Sequence, residues 1–176
     1  MKLNRSDITA FLALLVSLGA LFVSIIEANI MRDQQEIMQT QQKVAVYPYL
    51  SQKMHLGIAE KGTLTHTIIN KGLGPAKIKY TKFTLNGEEV ADYKALKSRL
   101  DDMFPPETKY SIIFFDPKSY FITANETITV LMLSCEDQEA ALKTMPEIKF
   151  EVEFCYCSIF EDCWSHVGDE TRETCP

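Results

Sequence analysis

ITAFLALLVSLGALFVSII (residues 8–26) sets the architecture of this chain, because it places 19 residues in a row without a charge. As a helix, a stretch of this length is roughly 28 Å long, close to the hydrocarbon core of a bilayer. A cleaved signal peptide is the alternative, but its apolar stretch usually runs about 7–15 residues before a small-x-small site. The best cleavage candidate here, Ile26-Glu27-Ala28, is a poor one. We therefore predict a short tail at residues 1–7, a retained membrane helix at residues 8–26 and a single crossing of the membrane.

The composition of the whole chain is that of a globular protein. Of the 176 residues, 46% are hydrophobic and 24% are charged, which excludes collagen-like, low-complexity and fully disordered chains. The net charge is −6. General nucleic-acid binding is therefore not expected, since it needs a positive field.

A second helical segment, the stalk at residues 27–46, follows the apolar stretch. It contains no glycine or proline, and Pro48 is expected to stop it. Read as one helix, the two segments carry a repeat of alternating three- and four-residue steps, which is the a/d seam of a heptad. The seam residues are Ala10, Ala13, Ser17, Ala20, Ser24, Glu27, Met31, Gln34, Met38, Gln41 and Ala45.

This seam predicts self-association into a parallel helix bundle. Within the bilayer it consists of small residues, which let helix backbones approach closely. Glu27, at the membrane edge, either snorkels to water or lines an aqueous centre. Two alternatives remain open: a lone helix whose small residues fall in phase by chance, and a seam packed on the protein's own domain.

The soluble part, residues 47–176, is predicted to be an antiparallel β-sandwich, immunoglobulin-like or related, of about seven or eight strands with one or two short helices. Alternating or apolar runs mark strands at residues 49–58, 63–70, 76–85, 109–115, 126–133 and 147–156, and a last one near Cys163. Residues 92–103 and 136–145 have helical patterns. The pair Asn86-Gly87 predicts a tight hairpin.

Alternation also predicts which side chains share a face. Residues 76–85 place Ala76, Ile78 and Tyr80 opposite Lys77 and Lys79. In the run 63–70, His66 shares a face with Leu64 and Ile68, which favours a core histidine over a general base.

Two local motifs carry a resemblance to known proteins. NKGLGPA (residues 70–76) resembles the Asn-x-Gly-x-Gly-Pro-Ala turn of bacterial immunoglobulin-like and cell-adhesion-related β-sandwich domains. QQEIMQTQQKVAVYPYL (residues 34–50) and CYCSIFEDCW (residues 155–164) are similar to a broad family of uncharacterised bacterial membrane proteins with one N-terminal helix and a β-rich domain. The resemblance implies the fold and brings no activity with it.

Five cysteines lie in the last quarter of the chain. Alternation along residues 148–157 puts Cys155 and Cys157 on the face of Lys149, Glu151 and Glu153, where they face water and need a partner. A turn after Cys157 returns the chain at Cys163, which favours a disulfide between the two. Cys155 with Cys175 is the next pair, and Cys135 is left over. The alternatives are inert thiols, or a metal or redox site with His166, although C-x-C-x5-C is not a standard zinc spacing.

The side of the membrane follows from charge and from the cysteines. Lys2, Arg5 and the amino terminus precede the helix, whereas Arg32 and Lys43 follow it, so the flanks nearly balance and the amine favours a cytoplasmic N-terminus. Residues 27–176 would then lie outside the cytoplasm, which suits disulfides.

Lysines gather near the Gly-Pro turn and define a possible anion-binding patch: Lys71, Lys77, Lys79 and Lys82. The alternative is a solvated strand whose lysines prevent edge pairing. Residues 135–176 are strongly acidic, so they are able to meet this patch on a neighbouring subunit.

No catalytic motif is found, and Cys157 with His166 is a dyad that nothing in the sequence orients. We expect no catalytic residues, no cofactor and no metal. The sequence favours a membrane-anchored binding or interaction domain whose partners are the lipid bilayer, further copies of itself, and a protein or small anionic ligand. The alternatives are a ligand-gated membrane effector that senses a nucleotide-type anion, as in bacterial antiviral defence, and a thiol-redox or metal-binding protein.

Overall fold

The computed structural model describes residues 5–58, 62–168, 170–172 and 175, and the side chains of residue 9 and of residues 11 onward within these ranges. Two compact units are present, Met1–Val44 and Ala45–Pro176. The described part of the first unit lies in helix α1, and we refer to the second unit as the β domain. This division lies within three residues of the predicted start of the soluble part.

Helix α1 is one continuous helix, Arg5–Ala45, of 41 residues. The apolar stretch and the stalk therefore form a single element, as predicted, and the helix ends three residues before Pro48. From Phe11 onward its side chains are exposed, and the helix is long and apolar enough to cross a membrane.

The β domain contains ten strands in its described part, all paired antiparallel. One sheet has four strands in the order β1-β2-β7-β5, and the other has the order β10-β9-β8-β3-β4, with β6 also pairing with β3. The strands are β1 Leu50–Ile58, β2 Gly62–Asn70, β3 Ala76–Leu85, β4 Glu88–Val90, β5 Tyr110–Phe114, β6 Phe121–Ile122, β7 Thr127–Cys135, β8 Phe150–Cys157, β9 Cys163–Val167 and β10 Glu170–Arg172. The mainly β prediction is confirmed.

Two helices and a 3-10 turn accompany the sheets. Helix α2, Tyr93–Met103, is capped at its N-terminus by Asp92, whose carboxylate accepts the Ala95 amide at 2.8 Å. Helix α3, Gln138–Thr144, is capped in the same way by Asp137 and leads into the 3-10 turn Met145–Glu147. The predicted strand over residues 147–156 therefore begins three residues late, at Phe150.

The core is made by the alternating inward residues of both sheets. Strand β2 alternates buried and half-buried side chains along its whole length, as its sequence predicts. Leu64, Ile68 and Leu133 lie in one sheet, and Phe150 and Val152 lie in the other; all are at most 3% exposed. The hairpin at Asn86-Gly87 is also confirmed, since both residues have positive φ.

One face assignment in β3 is wrong. The register between β3 and β8 shifts between Ile78 and Tyr80, so a bulge inserts one residue into the alternation. Ile78 faces the core, but Tyr80 is 40% exposed and lies on the outer face opposite Cys155. A period of two cannot anticipate a bulge, because the bulge is set by the partner strand.

Candidate functional site

Three segments of the β domain converge at the end where the chain enters from α1. Residues 46–49 precede β1, residues 71–75 connect β2 to β3, and residues 158–162 connect β8 to β9. Their convergence follows from the register, because Leu50 pairs with Asn70, and Lys77 pairs with Cys157. We call this end of the domain the entry surface.

Asn70 holds the first two of these segments together. Its side chain is fully buried and makes four hydrogen bonds. Nδ2 donates to the carbonyl oxygens of Gly74, at 2.8 Å, and Ile122, at 3.0 Å. Oδ1 accepts the amides of Gly72, at 2.9 Å, and Tyr49, at 3.3 Å. The full capacity of the amide is used, so this residue fixes the loop and the incoming chain to each other.

The two glycines of the loop are required by a close approach of backbones. A Cβ at Gly74 would overlap the backbone of Val46, and a Cβ at Gly72 would overlap the backbone of Pro48 and Tyr49. The Asn-x-Gly-x-Gly-Pro-Ala motif is therefore more than a turn. It is the surface against which residues 46–49 lie.

Tyr47 contacts the loop at residues 71–75 and strand β9. Its carbonyl oxygen accepts the amide of Leu73 at 2.9 Å. Its ring packs edge-on against Trp164, with ring centroids 4.8 Å apart, and Trp164 lies in β9 just after the hairpin loop. Any displacement of Tyr47 therefore disturbs the loop at residues 71–75 and the packing of Trp164.

The hairpin loop at residues 158–162 is tightly ordered. The Ser158 amide donates to the carbonyl oxygen of Asp162 at 2.8 Å, and the Ser158 hydroxyl accepts the amide of Phe160 at 3.1 Å. The disulfide Cys157–Cys163 closes the base of the loop. These constraints hold Ile159 and Phe160 at the tip of a stiff loop.

The entry surface exposes large apolar side chains. Their exposed fractions are 74% for Leu73, 56% for Ile159, 45% for Tyr49, 42% for Phe160 and 40% for Tyr47. Exposed groups of this kind mark interaction surfaces when they cluster on an ordered scaffold.

The cysteines are arranged in two disulfides. The structure joins Cys157 with Cys163 and Cys155 with Cys175, with Cα–Cα distances of 4.0 and 5.6 Å, and leaves Cys135 free and buried. Cys155 and Cys157 share a face of β8 with Glu151 and Glu153, yet each is only 3% exposed. They lie on the outer face of β8, where their disulfide partners and Ser165 of β9 lie over the same face.

The metal and thiol-redox alternatives depend on the same atoms. The sulfurs of Cys155, Cys157 and Cys175 lie within 4.8 Å of one another. Sulfurs in disulfides offer no thiolate, so a metal at this cluster requires both bonds to be reduced first.

The histidines are placed as structural residues. His66 is 4% exposed in the core, and its Nε2 lies 3.0 Å from Oε1 of Gln52. Its Nδ1 has no hydrogen-bond partner in the described part of the chain, so only one of the two ring nitrogens of this core histidine is hydrogen-bonded. Burial lowers the pKa of His66 to about 4, which keeps the ring neutral at pH 7.

Cys157 and His166, the pair that nothing in the sequence orients, do not form a dyad. His166 stacks on Phe154 and its Nδ1 lies 3.0 Å from Oγ1 of Thr171, whereas Cys157 is disulfide-bonded and opposite Cys163 on the other face of the strand pair.

The four lysines are spread along the sheet rather than gathered around one point. Lys71 lies in the loop of the entry surface, whereas Lys77 and Lys82 lie in β3, roughly 16 Å apart at about 3.3 Å per residue. Nζ of Lys77 lies 5.3 Å from the centre of the Phe121 ring, and Nζ of Lys82 lies 3.9 Å from Glu89. Lys79 falls in the bulge. The anion-binding patch stays a prediction, and this arrangement gives it little support.

The predicted seam lies on α1, and its side chains from Ala13 to Gln41 are exposed. The side chain of Ala10 lies outside the described residues. The Ser17 hydroxyl donates to the carbonyl oxygen of Leu14 at 2.8 Å, so this seam residue is satisfied within its own helix. Self-association along the seam stays a prediction.

No family model matches this chain, and neither a curated protein nor a solved structure matches it. The predicted membership of a bacterial membrane-protein family, and the likeness to adhesion-type sandwiches, therefore stay predictions that rest on the two motifs.

Proposed function

We propose that this chain is a membrane-anchored binding protein. Helix α1 holds it in the bilayer and assembles it into an oligomer, and the β domain acts as an interaction module outside the cytoplasm. The observation that carries the proposal is the exposure of an apolar helix joined to a folded domain that has its own core.

The membrane segment is argued from energetics. Large apolar side chains between Phe11 and Ile26 are 44–72% exposed. Moving each of these side chains from water into lipid is favourable by on the order of 1–2 kcal/mol. Summed over the stretch, this free energy strongly favours insertion into the bilayer. The same helix continues without a break to Ala45, so the apolar stretch is built into a longer element.

The location outside the cytoplasm is supported by the two disulfides, since such bonds persist in oxidising compartments. Thiol counting tests it. In denaturant without reductant, one thiol of the five cysteines reacts with a maleimide, and after reduction all five react. In sealed right-side-out vesicles, an impermeant reductant followed by an impermeant maleimide labels the domain. Five reactive thiols before reduction, or labelling only after lysis, would contradict this location.

Self-association is supported by the seam, whose stalk part exposes Met31 and Met38 by 67% and 55%. Exposed methionines on a heptad spacing are expected to be covered by a neighbouring helix. The test is a cysteine at position 34 in the full chain in lipid nanodiscs. Gln34→Cys is expected to form disulfide-linked dimers on mild oxidation, whereas Glu36→Cys, about 200° around the helix, is the matched control. Equal yields for both variants, or monomer alone, would refute a specific seam.

A further inference from the structure

We propose that, in the oligomer formed by α1, the loop at residues 71–75 of one copy docks on the hairpin loop at residues 158–162 of a neighbouring copy. In this contact Leu73 packs against Ile159 and Phe160, and Lys71 pairs with Glu161. The inference rests on the proposed self-association and identifies the surface of the β domain that completes it.

The first argument is the connectivity of the chain. Helices in a parallel bundle pack with axes about 8–10 Å apart, so the Ala45 residues of neighbouring copies lie close together. Tyr47, two residues later, contacts the loop at residues 71–75 through the Leu73 amide, and its ring packs on Trp164, two residues after the hairpin loop. The points at which the chain enters neighbouring domains are therefore close together in such a bundle, which brings their entry surfaces within reach of each other.

The second argument is the apolar content of both loops. Leu73 is 74% exposed, and Ile159 and Phe160 are 56% and 42% exposed at the tip of their loop. Both loops are fixed by internal hydrogen bonds, one by Asn70 and the other by Ser158. Because they are already ordered, covering these side chains costs little conformational entropy.

The third argument is charge complementarity. Lys71 and Glu161 are both exposed, and within the described residues neither forms an ion pair. Contact between two copies of the same loop would oppose like charges, whereas contact between the two different loops pairs unlike ones. In a dimer this contact occurs twice, and in a ring it occurs once with each neighbour.

Photo-crosslinking of the full chain in lipid nanodiscs tests the proposal directly. Copies that carry benzoylphenylalanine at position 73 are mixed with 15N-labelled copies, so that mass spectrometry distinguishes adducts between copies from adducts within one copy. We expect adducts that join this position to a peptide containing residues 158–162 of the other copy. The same probe at Leu142, which is 53% exposed on α3, is the control and should give none.

Charge reversal provides an independent readout. Lys71→Glu and Glu161→Lys should each raise the dissociation constant of the oligomer roughly fivefold, whereas an equal mixture of the two variants should return it to within about twofold of the native value. Lys94→Glu, an exposed lysine of α2, serves as the control for net charge. An unchanged constant for both reversals would overturn the ion pair.

The outcomes separate this inference from the proposed function. Crosslinking at position 34 without adducts between residue 73 and residues 158–162 would refute the loop contact and leave the helix bundle standing. Loss of both crosslinks would refute both. Adducts between the loops without crosslinking at position 34 would support the contact and refute the bundle.

Discussion

Replacing Asn70 is the strictest test of how residues 46–49 are held against the loop at residues 71–75. Replacing it with alanine removes four hydrogen bonds and leaves two buried carbonyls and two amides without their partner. At about 1 kcal/mol for each bond, Asn70→Ala should lower the free energy of unfolding by about 4 kcal/mol. The bond to Tyr49, at 3.3 Å, is the longest and contributes least.

The chain's one tryptophan provides the assay. Trp164 is 8% exposed and packs on Tyr47, so its fluorescence reports unfolding of the β domain during a urea titration of the full chain in detergent. Asn125→Gly is the matched control, because Asn125 is exposed at positive φ and should change stability by less than about 1 kcal/mol. A loss below about 1 kcal/mol for Asn70→Ala would refute the argument that its amide joins the loop to residues 46–49.

Three further changes test other parts of the fold. The pKa of His66 falls from about 6.5 in the unfolded chain to about 4 in the folded one, so the neutral ring stabilises the fold fully above about pH 6.5. About 3 kcal/mol of the free energy of unfolding is then lost as the pH falls towards 4. His66→Leu should remove this loss in urea titrations at pH 7 and pH 4.5. The same pH dependence of the unfolding free energy in the variant would contradict the burial argument. Gly74→Ala should cost at least about 2 kcal/mol because its Cβ overlaps the backbone, whereas Gly87→Asn, at positive φ in open space, should cost less than about 1 kcal/mol in the same titration. The Cys155–Cys175 disulfide spans 20 residues and the Cys157–Cys163 disulfide spans 6. Replacing the first pair with serine should therefore destabilise the domain by about 1 kcal/mol more than replacing the second, because the longer loop restricts the unfolded chain more. The reverse order would count against chain entropy as the cause.

The elements with strong local signals were predictable from the sequence. The uncharged stretch and the glycine-free stalk predict α1, and the alternation in residues 63–70 predicts the buried face of β2, His66 included. The hairpin follows from Asn86-Gly87, because these two residues accept the positive φ that a two-residue turn needs. In each case the information lies within one continuous stretch of the sequence.

What the sequence did not reveal depends on contacts between distant segments. The bulge near Lys79 is set by β8, so Tyr80 was assigned to the wrong face. The sequence favours both cysteine pairs, but the structure is needed to show that the returning chain leaves Cys155 and Cys157 buried. Strands β6 and β10 have two and three residues, too few for any alternation to be visible.

The role of the Asn70 motif was the main omission at the candidate site. The glycines indicate a turn, but only the structure shows that Gly72 and Gly74 lie against residues 46–49. A signal was present in the asparagine itself, which directly precedes a Lys-Gly pair at the end of an apolar strand. A buried amide at such a position needs partners, and the incoming chain supplies one of them.

The proposed function requires a helix that is retained in the membrane and carries a disulfide-closed β domain. The intact mass of protein extracted from washed membranes tests both features at once. We predict a membrane-bound species that retains residues 8–26, with the 20.0 kDa mass of the full chain. Its mass should be about 4 Da below that of the reduced chain, because each disulfide lacks two hydrogens. A soluble species shortened by the first 26 or so residues, or a mass that reduction leaves unchanged, would contradict the account.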